Sequence, residues 1–195
     1  MRTAKINRKT KETDIEVMIN LDGGGDYQIS TGIGFFDHML TQIAVHGLFD
    51  LTLKAEGDLH IDPHHTVEDC GIALGAAFAE ALGDKTGIVR TASASVPMDE
   101  ALSRAVIDFS GRPYAVINAS WTGPMIGELP TSLLEHFFQS FAITSASNLH
   151  LLIHYGKDNH HMAESLFKSF ARAAMAAVQI DPRRGGKIPS SKGVL

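Results

Sequence analysis

Apolar residues alternate with polar ones at Ile15, Val17, Ile19 and Leu21, the period-two signature of a half-buried strand, and Gly23-Gly24-Gly25 ends the run as a turn. A helix-like stretch follows from Phe35 to Gly47, then a short strand through Leu51, Leu53 and Ala55. Asp62 is placed to cap the next helix, with Pro63 at its first position. Val67, Ile72, Leu74, Phe78, Ala81 and Leu82 then recur at mostly helical spacing until Gly83. The same order repeats in the second half. Val96 marks a strand, Ala105, Ile107 and Phe109 alternate up to Gly111, and Tyr114, Val116 and Asn118 follow as a third strand. Ser132-x-x-Glu135 reads as a capping box opening a helix to about Ala146, and Leu149 to Tyr155 as a strand. Asp158 can cap a last long helix with a buried stripe of Ala163, Leu166, Phe167, Phe170, Ala174 and Val178, and Pro182 ends it.

Residues repeat along with elements. His38 matches His136 and Asp37 matches Glu135 at an offset of 98, and His64-His65-x-x-Glu68 matches His160-His161-x-x-Glu164 at 96. His60 and His154 pair at an offset of 94. Halves of about 90 residues bury too little surface to be stable alone, so they should pack on one another as one unit. The pattern therefore predicts an α+β fold of two duplicated half-domains, 1–88 and 89–182, followed by a tail, 183–195. Each half would be a roughly four-stranded sheet with two helices, and the two would pack with pseudo-two-fold symmetry.

Composition narrows the function classes. With 44% apolar and 20% charged residues the chain reads as soluble and globular, and a net charge of −5 argues against nucleic acid or an anionic membrane as partner. The single Cys70 forms no intrachain disulfide, and MRTAKINRKTKET lacks the apolar core of a secretory signal, so a cytoplasmic location is expected. Ten histidines, however, crowd into two windows, 38–65 and 136–161, about a quarter of the chain.

A helix turns ~100° per residue, so side chains four apart share a face with Cβ atoms about 5 to 6 Å apart. His64 with Glu68, and His160 with Glu164, each aim an imidazole and a carboxylate at one point. The adjacent His65 and His161 are rotated away and must serve a different ion, which predicts a dinuclear metal centre. His38 and His136 could each add a ligand, giving three nitrogens and one carboxylate oxygen per ion. Lone histidines in apolar patterns are ordinary packing or surface residues, the reading for His60, His150 and His154, but duplication of the whole motif is not accounted for in that way. Imidazole donors suit zinc, iron, cobalt, nickel or copper, and on affinity alone Mn²⁺ would come last. Arg90, Arg112 and Ser190-Ser191-Lys192 form a cationic, hydroxyl-bearing set of the kind that binds a phosphate monoester. Glu12, Asp99 and Glu100 are spare carboxylates.

At these residues the chain resembles imidazoleglycerol-phosphate dehydratases. The resemblance is carried by RKTKETDIEV (8–17), TGIGFFDHML (31–40), HIDPHHTVED (60–69), PMDEAL (97–102), SGRPY (110–114), LLEHFF (133–138), HHMAESLFKSFARA (160–173) and PSSKGVL (189–195). Pro63 stands where an acidic residue is more usual, Ser191 where Thr is common, and Arg90-Thr91-Ala92 replaces a more familiar Arg-Tyr-Gly. The resemblance implies two Mn²⁺ ions, one held by His38, His65, His160 and Glu164, the other by His64, Glu68, His136 and His161. It implies a phosphate site of Arg90, Arg112, Ser190, Ser191 and Lys192, with Glu12 and His46 lining the substrate site and Asp99 nearby. It also implies a homo-oligomer of twenty-four copies with sites at subunit contacts.

The implied reaction removes water from D-erythro-imidazole-glycerol phosphate to give imidazole-acetol phosphate, in histidine biosynthesis. No carbonyl acidifies the carbon-bound proton that is lost. The expectation is that the ring, deprotonated against the metals, supplies the electrons that expel the hydroxyl, while Glu12 or Glu164 moves the proton. Two rivals stand beside this reading. A dinuclear hydrolase of phosphate esters would want a bridging carboxylate and Asp-rich ligands. A non-catalytic metal-binding protein leaves Arg112 and the tail without a role.

Overall fold

The first strand is one that polar composition conceals. In β1 (Thr3–Lys9) Ala4, Ile6 and Arg8 turn inward, Arg8 to pair with the buried Asp69 at 2.8 Å, while Lys5, Asn7 and Lys9 face solvent. The computed structural model describes residues 1–194; Leu195, the end of the tail motif, lies outside them. In β2 (Thr13–Asn20) Ile15, Val17 and Ile19 are buried as their alternation predicts. β3 (Tyr27–Ser30), α1 (Gly34–Gly47), β4 (Asp50–Gly57) and α2 (His64–Leu82) complete the first set, and β5 (Thr91–Met98), β6 (Ala101–Asp108) and β7 (Tyr114–Asn118) begin the second. A two-stranded hairpin of β8 (Met125–Ile126) and β9 (Leu129–Pro130) precedes α3 (Thr131–Thr144), β10 (Asn148–Tyr155) and α4 (Asn159–Val178).

The two four-stranded sheets have the same topology, β1-β2-β4-β3 and β5-β6-β10-β7. In each, three strands are antiparallel and the last pairs in parallel, β3 with β4 and β7 with β10. β1 and β5 begin 88 residues apart, whereas α1 and α3 begin 97 apart. The difference is the β8–β9 hairpin, inserted only in the second half, which is why the histidine offsets are longer than those of the strands that precede it.

The helices lie between the sheets. α2 packs on β1 and β2, α4 on β5 and β6, and the halves join where α2 meets α3 and α1 meets α4. Phe36 on α1 meets Phe137 on α3, Phe78 on α2 meets Phe141, and Phe141 meets Phe170 on α4, with ring centroids 5.0 to 5.4 Å apart. These rings make one core across the duplication. The α2–α3 approach is closest at Gly71 and Gly75. A Cβ at Gly75 would lie 2.1 Å from Thr144 Oγ1 and 2.5 Å from the Phe141 carbonyl, and one at Gly71 2.6 Å from the Phe137 carbonyl. Gly75→Ala must therefore push the helices apart, and a loss of about 1–3 kcal/mol is expected in thermal or denaturant unfolding. A variant as stable as the parent would show that this seam tolerates separation.

Both histidine doublets sit on the first turn of a helix fixed by an aspartate two residues upstream. Asp62 accepts the His64 N–H at 2.7 Å, and Asp158 accepts those of His160 and His161 at 2.7 and 3.3 Å. Three local expectations need correction. Pro63, not Asp62, takes the N-cap position of α2 and so precedes the helix instead of occupying its first position, although the Asp62 side chain still accepts the His64 N–H. The Ser132/Glu135 capping box does not form, because α3 starts after Pro130 and Glu135 accepts from the Trp121 indole N–H at 2.9 Å. That helix stops at Thr144, and Ala146 beyond it adopts a left-handed φ of +50°.

Candidate active site

Each half lends one helix to each of two matching groups. His38 on α1 and His160 and Glu164 on α4 converge, with Glu164 Oε2 3.1 Å from His38 Nε2 and 3.3 Å from His160 Nε2. His64 and Glu68 on α2 and His136 on α3 converge likewise, with His136 Nε2 3.3 Å from Glu68 Oε1 and His64 Nε2 3.9 Å from Glu68 Oε2. Within each group the donor atoms lie within 4.8 Å of one another, as one metal ion would require. His136 Nε2 is buried without a hydrogen-bond partner among the described residues. A buried imidazole nitrogen that faces the Glu68 carboxylate at 3.3 Å without a hydrogen bond to it fits a metal ligand better than a packing residue.

His65 and His161 belong to neither group. Their rings stand 77° and 85° to those of His64 and His160, with centroids 6.1 Å apart, so adjacent histidines diverge as helical geometry demands. His65 Nδ1 lies 3.0 Å from Asp58, and His161 Nδ1 2.7 Å from Glu100. Glu12 is 4.0 Å from His65 Nε2 and Asp99 3.8 Å from His161 Nε2. Of the two implied four-ligand sets, one chain therefore assembles three members each.

Charge at the site is strongly organised. Burial opposes ionisation of Glu164, but hydrogen bonds from Lys168, 2.5 Å away, and from His38 outweigh it and hold the carboxyl at about 2. Glu100 is held at about 2 by His161 and by the backbone N–H groups of Asp158 and Lys157. The hydrogen bonds to Asp58 and Glu100 in turn raise the pKa of His65 and His161. His46 shifts the other way, lowered by burial and then by the nearby Lys168 and Arg172. Lys168 went unnoticed in the sequence, although its place four residues after Glu164 was the available signal.

The cationic set also comes together. Arg90, Arg112, Ser190, Ser191, Lys192 and Val194 line a cavity of about 260 Å³. Arg90 is already committed: its Nε and Nη2 donate to Asp108 at 2.6 and 2.9 Å, and its Nη1 donates to the Pro189 carbonyl at 2.8 Å. It thereby ties the tail to the second sheet. Arg112 and Lys192 have no ion-pair partner among the described residues and remain available to an anion. The cavity shares no lining residue with either histidine group. A larger cavity of about 610 Å³ along β1, β2 and β4 contains none of the site residues.

Comparison with known proteins decides what this arrangement belongs to. Residues 31–174 match the family model described as imidazoleglycerol-phosphate dehydratase. The chain belongs to that family. Imidazoleglycerol-phosphate dehydratases from Zymomonas mobilis and Methylorubrum extorquens are each 56% identical to it; both matches cover 100% of this chain, with 99% and 100% of the relatives. Among solved structures, the imidazoleglycerol-phosphate dehydratase of Staphylococcus aureus superposes with a TM-score of 0.83 at 35% identity, covering 92% of this chain and 99% of that one. That of Pyrococcus furiosus gives 0.84 at 35% identity, covering 97% and 100%. Membership makes the chain an enzyme of the hydro-lyase class, with the duplicated α+β fold of its family. No helix among the described residues is long and apolar enough to cross a membrane.

Proposed function

We propose that this dehydratase acts in cytoplasmic histidine biosynthesis and removes water from D-erythro-imidazole-glycerol phosphate in a Mn²⁺-dependent reaction, giving imidazole-acetol phosphate. The observation that carries the proposal is the pair of related His/His/Glu groups, each built from both halves, one containing an orphaned buried imidazole nitrogen. Bound at these groups, Mn²⁺ would supply the positive charge that favours the deprotonated form of the substrate ring.

The chain's own residues divide the remaining work. Arg112 and Lys192, with the Ser190 and Ser191 hydroxyls, bind the phosphate, while Arg90 holds the tail that carries three of them. Glu164 is engaged at both oxygens and stays an anion. Glu12 is exposed, with His65 as its nearest side-chain ion partner among the described residues, and is the carboxylate free to take the carbon-bound proton. Asp99 stands in the matching position beside His161 and, after taking a proton from solvent, can pass it to the departing hydroxyl so that water leaves while Glu12 holds the proton from carbon. The resulting enol tautomerises to the ketone.

His65 and His161 turn away from their own chain's groups, which supports an assembly where they complete the groups of neighbouring copies. The assembly proposed, on the family resemblance, has twenty-four copies. Incubating metal-loaded protein with the substrate is expected to yield imidazole-acetol phosphate with the ester intact. Release of inorganic phosphate without dehydration would favour a dinuclear hydrolase, and metal uptake with neither product a storage protein.

A further inference from the structure

The two outlying histidines are oriented by carboxylates outside every ligand set described above. His65 Nδ1 lies 3.0 and 3.2 Å from the two oxygens of Asp58, at the end of β4. His161 Nδ1 lies 2.7 Å from Glu100 Oε2, in the β5–β6 turn. An ionised carboxylate only accepts, so in each pair the proton sits on Nδ1 and the lone pair of the neutral ring is left on Nε2. Among the described residues neither Nε2 is within hydrogen-bond distance of a carboxylate, since Glu12 and Asp99 stand at 4.0 and 3.8 Å. The same arrangement occurs in both halves from residues at unrelated positions. Asp58 follows the strand that precedes its helix, whereas Glu100 reaches across from a hairpin.

We infer that Asp58 and Glu100 are positioning residues that fix the tautomer and direction of His65 and His161, presenting Nε2 outward as a ready ligand for a metal held by another copy. This rests on the reading of His65 and His161 as ligands. The two carboxylates differ in one testable way. Asp58 has no other side-chain hydrogen bond among the described residues, so Asn in its place can turn its carbonyl toward Nδ1. Glu100 Oε1 already accepts the N–H groups of Lys157 and Asp158 at 3.0 and 2.9 Å. A glutamine there must keep its carbonyl on those amides and face Nδ1 with an N–H. That reverses the tautomer and blocks Nε2 with hydrogen, while the backbone contacts survive.

The test is titration of metal-free protein with Mn²⁺ alone, following free ion by electron paramagnetic resonance, with thermal unfolding as a folding control. E100Q is expected to weaken one class of Mn²⁺ site by roughly 10- to 100-fold and leave the other class and the unfolding temperature near the parent's. D58A should weaken the other class by a similar factor, and D58N should lose less than D58A. Parent-like affinity in E100Q at both classes, or equal losses in D58N and D58A, would overturn the inference. H65A and H161A separate the two levels. If neither changes Mn²⁺ affinity, these histidines are not ligands and both readings fall. If each weakens one class while E100Q and D58A do not, only the positioning role fails.

Discussion

Glu164→Gln is expected to reduce turnover by about a thousandfold, equivalent to roughly 4 kcal/mol of transition-state stabilisation. Glu164 is nearly buried, with one oxygen 2.5 Å from Lys168 and the other shared between His38 and His160 at 3.1 and 3.3 Å. An amide cannot serve both sides. With its nitrogen toward Lys168 it sets donor against ammonium; with its nitrogen toward the histidines it removes the ligand oxygen. Glu68→Gln should lose less, because Glu68 has no cationic lysine or arginine partner among the described residues and its amide oxygen can face His136. Metal content and kcat of the two variants check this. A Glu164→Gln protein with full metal and parental kcat would remove the carboxylate from the centre.

Arg112→Ala is expected to lower kcat/KM by about 10²- to 10³-fold, or roughly 3–4 kcal/mol, for the loss of charge-assisted bonds to the substrate phosphate. Arg112 has no ion pair to lose among the described residues, so the unfolding temperature should not move. Arg90→Ala behaves differently, since it unpairs Asp108 and frees the Pro189 carbonyl; it should lower the unfolding temperature as well as activity. On imidazole-glycerol without its phosphate, Arg112→Ala and the parent should be equally slow. A persistent difference there would place Arg112 in a role unrelated to phosphate.

The parts of this architecture that were legible are those in which local physics acts alone. Helical spacing brought Glu68 back to His64 and Glu164 back to His160, and Asp158 caps the helix of the second doublet while Asp62 accepts the His64 N–H from one residue before the cap. β1 and β3 were missed because their outward residues outnumber their apolar ones, and the alternation emerges only against β2 and β4. The β8–β9 hairpin has too few residues to show a period. Asp58 and Glu100 find their histidines through tertiary placement, Glu100 from 61 residues away in sequence, which no spacing rule reaches. Ser132-x-x-Glu135 had the right spacing for a cap, but Trp121 competes for the carboxylate.

Turnover of metal-stripped protein titrated with Mn²⁺ tests the central claim most directly. With two three-ligand groups per chain, dehydration should be absent without metal and rise to a plateau at two ions per chain. Full dehydration by metal-free protein, or a plateau at a single ion, would contradict it.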